Sequence, residues 1–474
     1  MAAPGVLILA AVLVALRFVR QEAAVARCVV AATLAAVASI AVASVVGAPP
    51  ITAVVAITIG IIASVVSAFA ARSMQGGSVS YARFFALLAA ATAGSLLIAI
   101  SSDLRLLAAA WIATGFCTSG LLAVPNNAAA RSWAIRHLAV ERIGDLAWIV
   151  VLLLTWRTYH TFDLRALAHA VVLNDATTGI AVALVVAGAS RSALVPFHRW
   201  LPNSMEAPTA VSAFMHAGLV NGAGVLLAKT AFIIVLAPIA LTIAALLGGI
   251  TAALGATIAL VRPETKRRLG WSTVAQMGFM VLQCGCGAFA ATIVHLVAHG
   301  GYKSAAFLGA AASIDAHRPS LVRGDGRPRS DNPAALGIMA LLPATLGVAV
   351  AWVILRDRLL DMPAATMVIA IAWAAGTSGA RRGAAAARGF GARFLALAAM
   401  ACAVCVYLVC MTELDAWLGP ALPHVTFAPV SAIVTGVVIA AGLFAGLGVR
   451  PRMPDAVYAL ALVEGRATPL EMAT

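Results

Sequence analysis

Three titratable side chains stand four residues apart in the stretch TIVHLVAHGGYKSAAFL: His295, His299 and Lys303. On a helix the i, i+4, i+8 spacing stacks them along one face, about 6 Å per step. Imidazole titrates near neutrality, and lysine, unlike arginine, releases its proton readily once buried. Such a row can hand protons along a helix. The flanking residues are apolar enough for a bilayer, where a charged lysine at mid-depth costs about 2.5–3.5 kcal/mol, so it should face water or a partner. Gly300 and Gly301 permit close helix contact or local unwinding. The plainer alternative is two packed histidines and a lysine that snorkels to the interface.

A second concentration of ionisable groups lies in Ala189–Lys229, ASRSALVPFHRWLPNSMEAPTAVSAFMHAGLVNGAGVLLAK. It holds Arg191, His198, Arg199, Glu206, His216 and Lys229 in otherwise apolar sequence, with Pro196, Pro202 and Pro208 at six-residue spacing. No continuous helix tolerates that spacing of prolines without a break. Unwound backbone at membrane depth is tolerated where it lines a cavity or is buried in protein, and a broken helix loaded with ionisable groups is a usual form of an ion path. Arg191 holds its charge and would act electrostatically, keeping a nearby carboxylate such as Glu206 ionised. His216 would relay from this site. Glu206 also reads as a helix N-terminal carboxylate before Pro208, and His198 and Arg199 as interfacial anchors beside Trp200.

Lysine usage narrows the candidates. Of 32 Lys and Arg residues only Lys229, Lys266 and Lys303 are lysines. All three fall between the broken helix and the histidine row. Lys266, beside Arg267 and Arg268, also reads as a topological anchor. Glu141 and Asp145, within reach of His137 and Arg142, suit either proton uptake from the cytoplasm or a structural ion pair. Asp175 is an isolated acid with no assigned role. No phosphate-cradling glycine loop, Ser/His/Asp arrangement or metal cluster is present, so this chain is expected to have no catalytic centre, metal or cofactor of its own.

The elements that must position these groups are membrane helices. The chain has 474 residues, 62% hydrophobic and 11% charged, against about a quarter charged in soluble proteins. Apolar runs of 17 to 25 residues recur from end to end and are continuous rather than alternating, which reads as an all-α polytopic membrane protein and not a barrel. The first run, Gly5 to Val19, reads as a retained helix. Fifteen spans are predicted: 4–19, 28–47, 51–71, 83–101, 104–124, 138–157, 173–201 (broken), 208–230, 234–261, 267–286, 288–313, 333–355, 363–380, 394–412 and 427–448. The longest polar connections are 157–172 and 313–332, and a weakly amphipathic stretch, Ala456 to Val463, lies in the tail. The seven cysteines lie mostly in apolar runs and read as small hydrophobes.

The net charge of +14 does not point to nucleic acid, because the basic residues sit in short loops between spans. With the N-terminus outside and the C-terminus cytoplasmic, 23 of the 32 Lys and Arg residues fall in cytoplasmic loops and the tail. Spans four to eight and nine to thirteen have equal helix counts and start on opposite sides, the arithmetic of inverted five-helix repeats. The chain is therefore divided at 1–82 (N-terminal helices), 83–230 (first repeat with the broken helix), 231–380 (second repeat) and 381–474 (C-terminal helices and cytoplasmic tail).

PFHRWLPNSMEAPTAVSAFMHAGLVNGAG resembles the broken-helix motif of the proton-translocating antiporter-like subunits of respiratory complex I and Mrp antiporters. Within that superfamily the HAGLVNGAG ending, WSTVAQMGFMVLQCGCGAFAATIVHLVAHGGYKSAAFL and the short tail are most similar to the membrane subunits (DabB) of DAB inorganic-carbon transporters. The resemblance covers roughly Ala82 to Ala312. It implies an antiporter-like fold with two inverted five-helix units in the cell (inner) membrane. It also implies a large partner subunit resembling a zinc β-carbonic anhydrase (DabA), with zinc in that partner, and proton or sodium flux that drives conversion of CO2 to bicarbonate. Arg191 takes the place of the broken-helix lysine, and Lys266, His295, His299 and Lys303 match central proton-path residues. Complex I subunits have a glutamate directly after the tryptophan of span five, whereas Ile112 follows Trp111 here; no lysine follows Lys303, and the long lateral helix is missing.

The function expected on this basis is a cation-conducting membrane subunit that energises inorganic-carbon uptake. Protons would pass Glu206, His216, Lys266, His295, His299 and Lys303, with Arg191 tuning the field and Glu141, Asp145, His198 and Lys229 as further candidates. The alternatives are a complex I or Mrp-type pumping subunit and a non-conducting membrane scaffold.

Overall fold

Long apolar runs with polar caps dictate what forms here. The computed structural model describes residues 22–45, 49–74, 81–204, 207–317, 333–387, 389–419, 422–423 and 428–447, and the single residues 457 and 461. The expected first span and the amphipathic tail lie outside these residues, apart from Val457 and Ala461. Eighteen α-helices are described: α1 (Glu22–Val45), α2 (Pro50–Ser73), α3 (Tyr81–Ile100), α4 (Leu104–Leu122), α5 (Ala128–Tyr159), α6 (Leu164–Ala170), α7 (Asp175–Arg191), α8 (Trp200–Asn203), α9 (Thr209–Ala217), α10 (Gly222–Lys229), α11 (Ala231–Ile234), α12 (Pro238–Val261), α13 (Thr265–Gly285), α14 (Phe289–His317), α15 (Pro333–Asp361), α16 (Ala365–Ala386), α17 (Phe390–Leu418) and α18 (Ala428–Leu447). Eight helices among the described residues are long and apolar enough to cross a membrane, and the chain is a multi-pass membrane protein.

Helix starts follow side-chain capping. Asp103 accepts from the backbone N–H of Arg105 and Leu106 at the head of α4, and Asp163 does the same for Arg165 and Ala166 at the head of α6. Asn127 and Asn174 cap α5 and α7. Each side-chain oxygen satisfies a donor that the first helical turn leaves unpaired. The two aspartate caps face one another. Leu104 N–H donates to Phe162 O at 3.0 Å and Leu164 N–H donates to Ser102 O at 2.7 Å, around an isolated bridge between Asp103 and Asp163. The connection read as a polar loop at 157–172 therefore contains a short helix, α6, held by this pairing.

The chain divides into two units, one of residues 1–284, 292–318 and 459–474, the other of 285–291 and 319–458. In the first, Trp111, Trp148, Trp271, Phe84, Phe85 and Phe214 are fully buried. α12 and α13 approach closely: a Cβ on Gly248 would lie 2.4 Å from the backbone nitrogen of Leu282, and one on Gly278 would lie 2.4 Å from that of Ala252. Small residues at helix crossings are how membrane helices gain packing where lipid removes the hydrophobic drive. The second unit holds α15 to α18. α15 carries Pro343 and is kinked at Leu355, and α17 presents Phe390, Phe394 and Leu395 outward.

Candidate functional site

α7 stops at Arg191, and the chain then turns irregular through Ala193, whose φ is 52°, before a 3-10 turn at Phe197–Arg199 and the four-residue α8. The break falls ahead of Pro196, while Pro202 sits inside α8 and Pro208 caps α9. The next span, read from sequence as continuous over 208–230, is broken as well: α9 ends at Ala217, a 3-10 turn covers Leu219–Asn221, and α10 resumes at Gly222. The two breaks are tied together by one hydroxyl. Ser192 Oγ donates to Val220 O at 2.5 Å and accepts from Ala223 N–H at 3.0 Å. Backbone groups freed by one break are thus satisfied at the other, as an unwound segment inside a membrane requires.

Arg191, the last residue of α7, is 3% exposed and faces a carboxylate from α5. Its Nε lies 3.0 and 2.8 Å from the two carboxylate oxygens of Glu141, and its Nη2 lies 2.7 Å from Oε2. Nη2 also donates to Trp111 O at 2.7 Å, and the guanidinium sits 4.3 Å from the Trp111 ring centroid. This is the bidentate, stacked geometry that arginine supplies and lysine does not. A Cβ on Gly222 would fall 2.8 Å from Arg191 Cγ, so only glycine lets α10 pass this side chain. Glu141 is fully buried. His137, one turn earlier, approaches it at 3.6 Å through Nε2, and His137 Nδ1 shares a 2.7 Å hydrogen bond with Ser119 Oγ. Asp145 pairs with Arg142 at 2.7 Å.

The carboxylate expected beside Arg191 was Glu206; the one the structure places there is Glu141, 50 residues upstream. Glu206 lies outside the described residues. Of the two readings held for Glu141 and Asp145, both residues are in ion pairs. The glutamate that the resemblance puts after Trp111 is Ile112 here, yet the guanidinium meets both the carbonyl of Trp111 and a carboxylate supplied by the next helix.

The second cluster stands on α14. Lys303 is 1% exposed, and its Nζ donates to Leu269 O at 3.0 Å and Ser272 Oγ at 2.5 Å on α13. The rings of His295 and His299 are 6.0 Å apart, one step of the expected row, and His295 Nδ1 shares a 3.0 Å hydrogen bond with Gln283 Oε1. His216 joins from α9, fully buried and stacked on Phe307 at 4.5 Å. It lies within electrostatic range of Lys303 and Lys266, as His299 does of His295, His216 and Lys303. Both ring nitrogens of His216, both of His299 and Nε2 of His295 are buried, and none has a hydrogen-bond partner among the described residues. Buried polar atoms in folded proteins are nearly always bonded, and where protein offers no partner the usual one is water.

The remaining candidates separate. Lys266 is half-buried near the start of α13 and donates to Ala207 O at 3.2 Å. Lys229 points the other way, to Ala99 O and Ser101 O at 2.6 and 2.8 Å, closing the carbonyl end of α3. It is not brought to the row. His198 is buried, 5.7 Å from the Trp271 ring, and Arg199 is exposed. Asp175 is an exposed acid in the first turn of α7, where a carboxylate complements the helix dipole. Ser119, Ser272 and Gln283 were missed from sequence; their only signal was a neutral polar residue in an apolar span. Cys402 and Cys405 have C-x-x-C spacing on α17, but no group of three or more His, Cys, Asp or Glu that could hold a metal occurs among the described residues.

The chain is 33% identical over 330 residues to the probable inorganic carbon transporter subunit DabB1 of Halothiobacillus neapolitanus, covering 68% of this chain and 57% of that protein. It is 34% identical over 304 residues to a probable DabB of Bacillus subtilis, covering 60% and 56%. NADH-ubiquinone oxidoreductase chain 5 of Metridium senile matches at 32% over 270 residues, covering 56% and 45%. The chain thus spans about half the length of these relatives. A solved Mrp complex from Dietzia sp. DQ12-45-1b superposes with a TM-score of 0.61 at 22% identity, covering 98% of this chain and 55% of that one, which establishes an antiporter-like fold. The family described as NADH:quinone oxidoreductase/Mrp antiporter, transmembrane, matches residues 101–347, a range that contains the Arg191–Glu141 pair and the whole basic row. On that match the chain belongs to the NADH:quinone oxidoreductase/Mrp antiporter transmembrane family.

Proposed function

We propose that this chain conducts a cation, proton or sodium, through the cell (inner) membrane and thereby energises inorganic-carbon uptake by a carbonic-anhydrase-like partner that carries the zinc. The observation that carries the proposal is the row of buried His216, His299 and Lys303 with half-buried His295, in which five imidazole nitrogens lack a partner among the described residues. Titratable groups at that depth are kept only where water or a partner offsets their desolvation. Lys303, with two of three ammonium donors used, retains one for such a water. The carbon substrate is supported by two relatives, probable inorganic carbon transporter subunits of Halothiobacillus neapolitanus and Bacillus subtilis.

In this reading His216 and Lys266 connect the breaks to the row, Glu206 is a further proton-path group, and Arg191 with Glu141 holds a fixed field. Two inverted five-helix units and fifteen spans, with the N-terminus outside, would frame the path. A respiratory role has one specific support, the 32% identity to an NADH-ubiquinone oxidoreductase chain.

Co-purification from the native membrane in mild detergent, with zinc measured in the complex, tests the partner. Lys303→Ala with His299→Ala tests conduction: loss of carbon-dependent growth with normal assembly is expected. Full growth with normal assembly means a scaffold, and loss of quinone-dependent respiration instead would assign the respiratory role.

A further inference from the structure

At both ends of the row on α14, α13 presents hydrogen-bond acceptors. At the Lys303 end they are Leu269 O and Ser272 Oγ, whose own hydrogen goes to Leu269 O at 3.0 Å. At the other end the acceptor is Gln283, a polar side chain only 3% exposed beside Leu282 and Cys284. Its Oε1 stands 3.0 Å from His295 Nδ1. An amide oxygen carries no hydrogen, so Nδ1 must donate, and the ring is the Nδ1–H tautomer. Nε2 then holds the free lone pair, and Nε2 is the buried His295 atom with no partner among the described residues. Thr292, one turn before His295, lies 3.4 Å from Cys284 Sγ and 3.5 Å from Met280 O. Phe279 packs on the imidazole with ring centroids 5.4 Å apart, so α13 and α14 are held in the register this bond needs.

We propose that Gln283 is a positioning residue that makes His295 a one-sided proton station, with Nδ1–H kept on the amide and protons entering and leaving at Nε2. A relay through the ring takes a proton on one nitrogen and releases another from the second. Here the second nitrogen faces an amide oxygen, which is too weak a base to carry that proton away. A proton reaching Nε2 gives an imidazolium whose Nδ1–H the amide still holds, and it leaves by the atom at which it came. Without the amide, the hydrogen of the neutral ring would be free to sit on either nitrogen, because the partner of one sets the state of the other. The tautomer follows from the bond to Gln283; its use in transport rests on the conduction proposed above.

The test is nitrogen NMR of the full chain in proteoliposomes with isotope-labelled histidine, at a pH where imidazole is neutral, alongside cation flux. His295 is one of nine histidines, and the signals lost in His295→Asn are its own. The expected wild-type spectrum has the hydrogen on Nδ1 and a bare Nε2. In Gln283→Leu the hydrogen should spread over both nitrogens and flux should fall about tenfold. Gln283→Glu offers an oxygen acceptor at the same reach and should bring back the Nδ1–H signature with most of the flux. A wild-type hydrogen on Nε2, as an amide turned to donate through its NH2 would produce, overturns the proposal without any variant having to fold. A tautomer unmoved by Gln283→Leu also overturns it, whatever happens to flux, because Gln283 would then be structural. Normal flux in His295→Asn refutes the station and the conduction of protons past His295 together, and the spectrum tells that failure apart from a wrong tautomer.

Discussion

Two buried clusters in the same unit treat charge in opposite ways. Around Arg191 the charge is closed: Glu141, the Trp111 carbonyl and the Trp111 ring occupy the guanidinium. Along α14 it is left open, with imidazole nitrogens that no described residue bonds and a lysine that keeps a donor unused. The first arrangement suits a permanent field, because arginine does not release its proton. The second suits groups that change protonation, since a titrating nitrogen needs room for water on one side. The cation differs between the two, arginine in one and lysine in the other, while histidine occurs in both: His137 stands 3.6 Å from Glu141 in the first.

The largest expected effect breaks the closed cluster. Glu141→Gln leaves Arg191 as an uncompensated buried charge and should cost about 3–5 kcal/mol of stability, read as a large drop in thermal midpoint of the detergent-solubilised chain. Glu141→Leu with Arg191→Met should recover most of that loss. An unchanged midpoint in the single variant would mean that water already reaches the pair, erasing the contrast.

Exchanging the two cations sharpens the comparison next. Lys303→Arg should lower cation flux in proteoliposomes by about a hundredfold, the order of a lost positioned proton-transfer group, because a guanidinium holds its proton. Arg191→Lys keeps the charge and should retain flux within about tenfold while losing part of the bidentate pairing. Equal effects from the two exchanges would show that charge, not proton release, is what Lys303 supplies.

His299→Ala probes the open row with a smaller effect. Flux should fall about tenfold while stability changes by no more than about 1 kcal/mol, since no protein hydrogen bond is removed. Smallest in flux is Lys229→Met. It removes two hydrogen bonds to the carbonyl end of α3, so stability should drop by about 1–3 kcal/mol with flux per folded molecule unchanged. A flux defect at constant stability would return Lys229 to the conducting groups.

Much of the open cluster was legible in the sequence because it is local. His295, His299 and Lys303 sit on one helix, and the 3.6-residue period alone places them on one face. The break near Pro196 was legible for the same reason, since proline removes a backbone donor wherever it falls. The second break, at Gly218–Asn221, was not: HAGLVN contains no proline, and its unwinding depends on Ser192 from the preceding helix. The partner of Arg191 was hidden too. Chain proximity favoured Glu206, whereas Glu141 lies 50 residues away and reaches the guanidinium only once α5 and α7 pack together. Lys229 read as a possible proton carrier by type, and only the fold shows its ammonium bonded to Ala99 O and Ser101 O at the end of α3.

What this sequence determined by itself is the solvent of the fold and the identity of the groups that can titrate, because hydropathy and side-chain chemistry are properties of single residues and short windows. What only the tertiary structure decided is which charges are silenced and which are left open, because that depends on neighbours brought from 50 to 130 residues away. Inside a membrane those neighbours set whether a charge is bonded by protein or left to water.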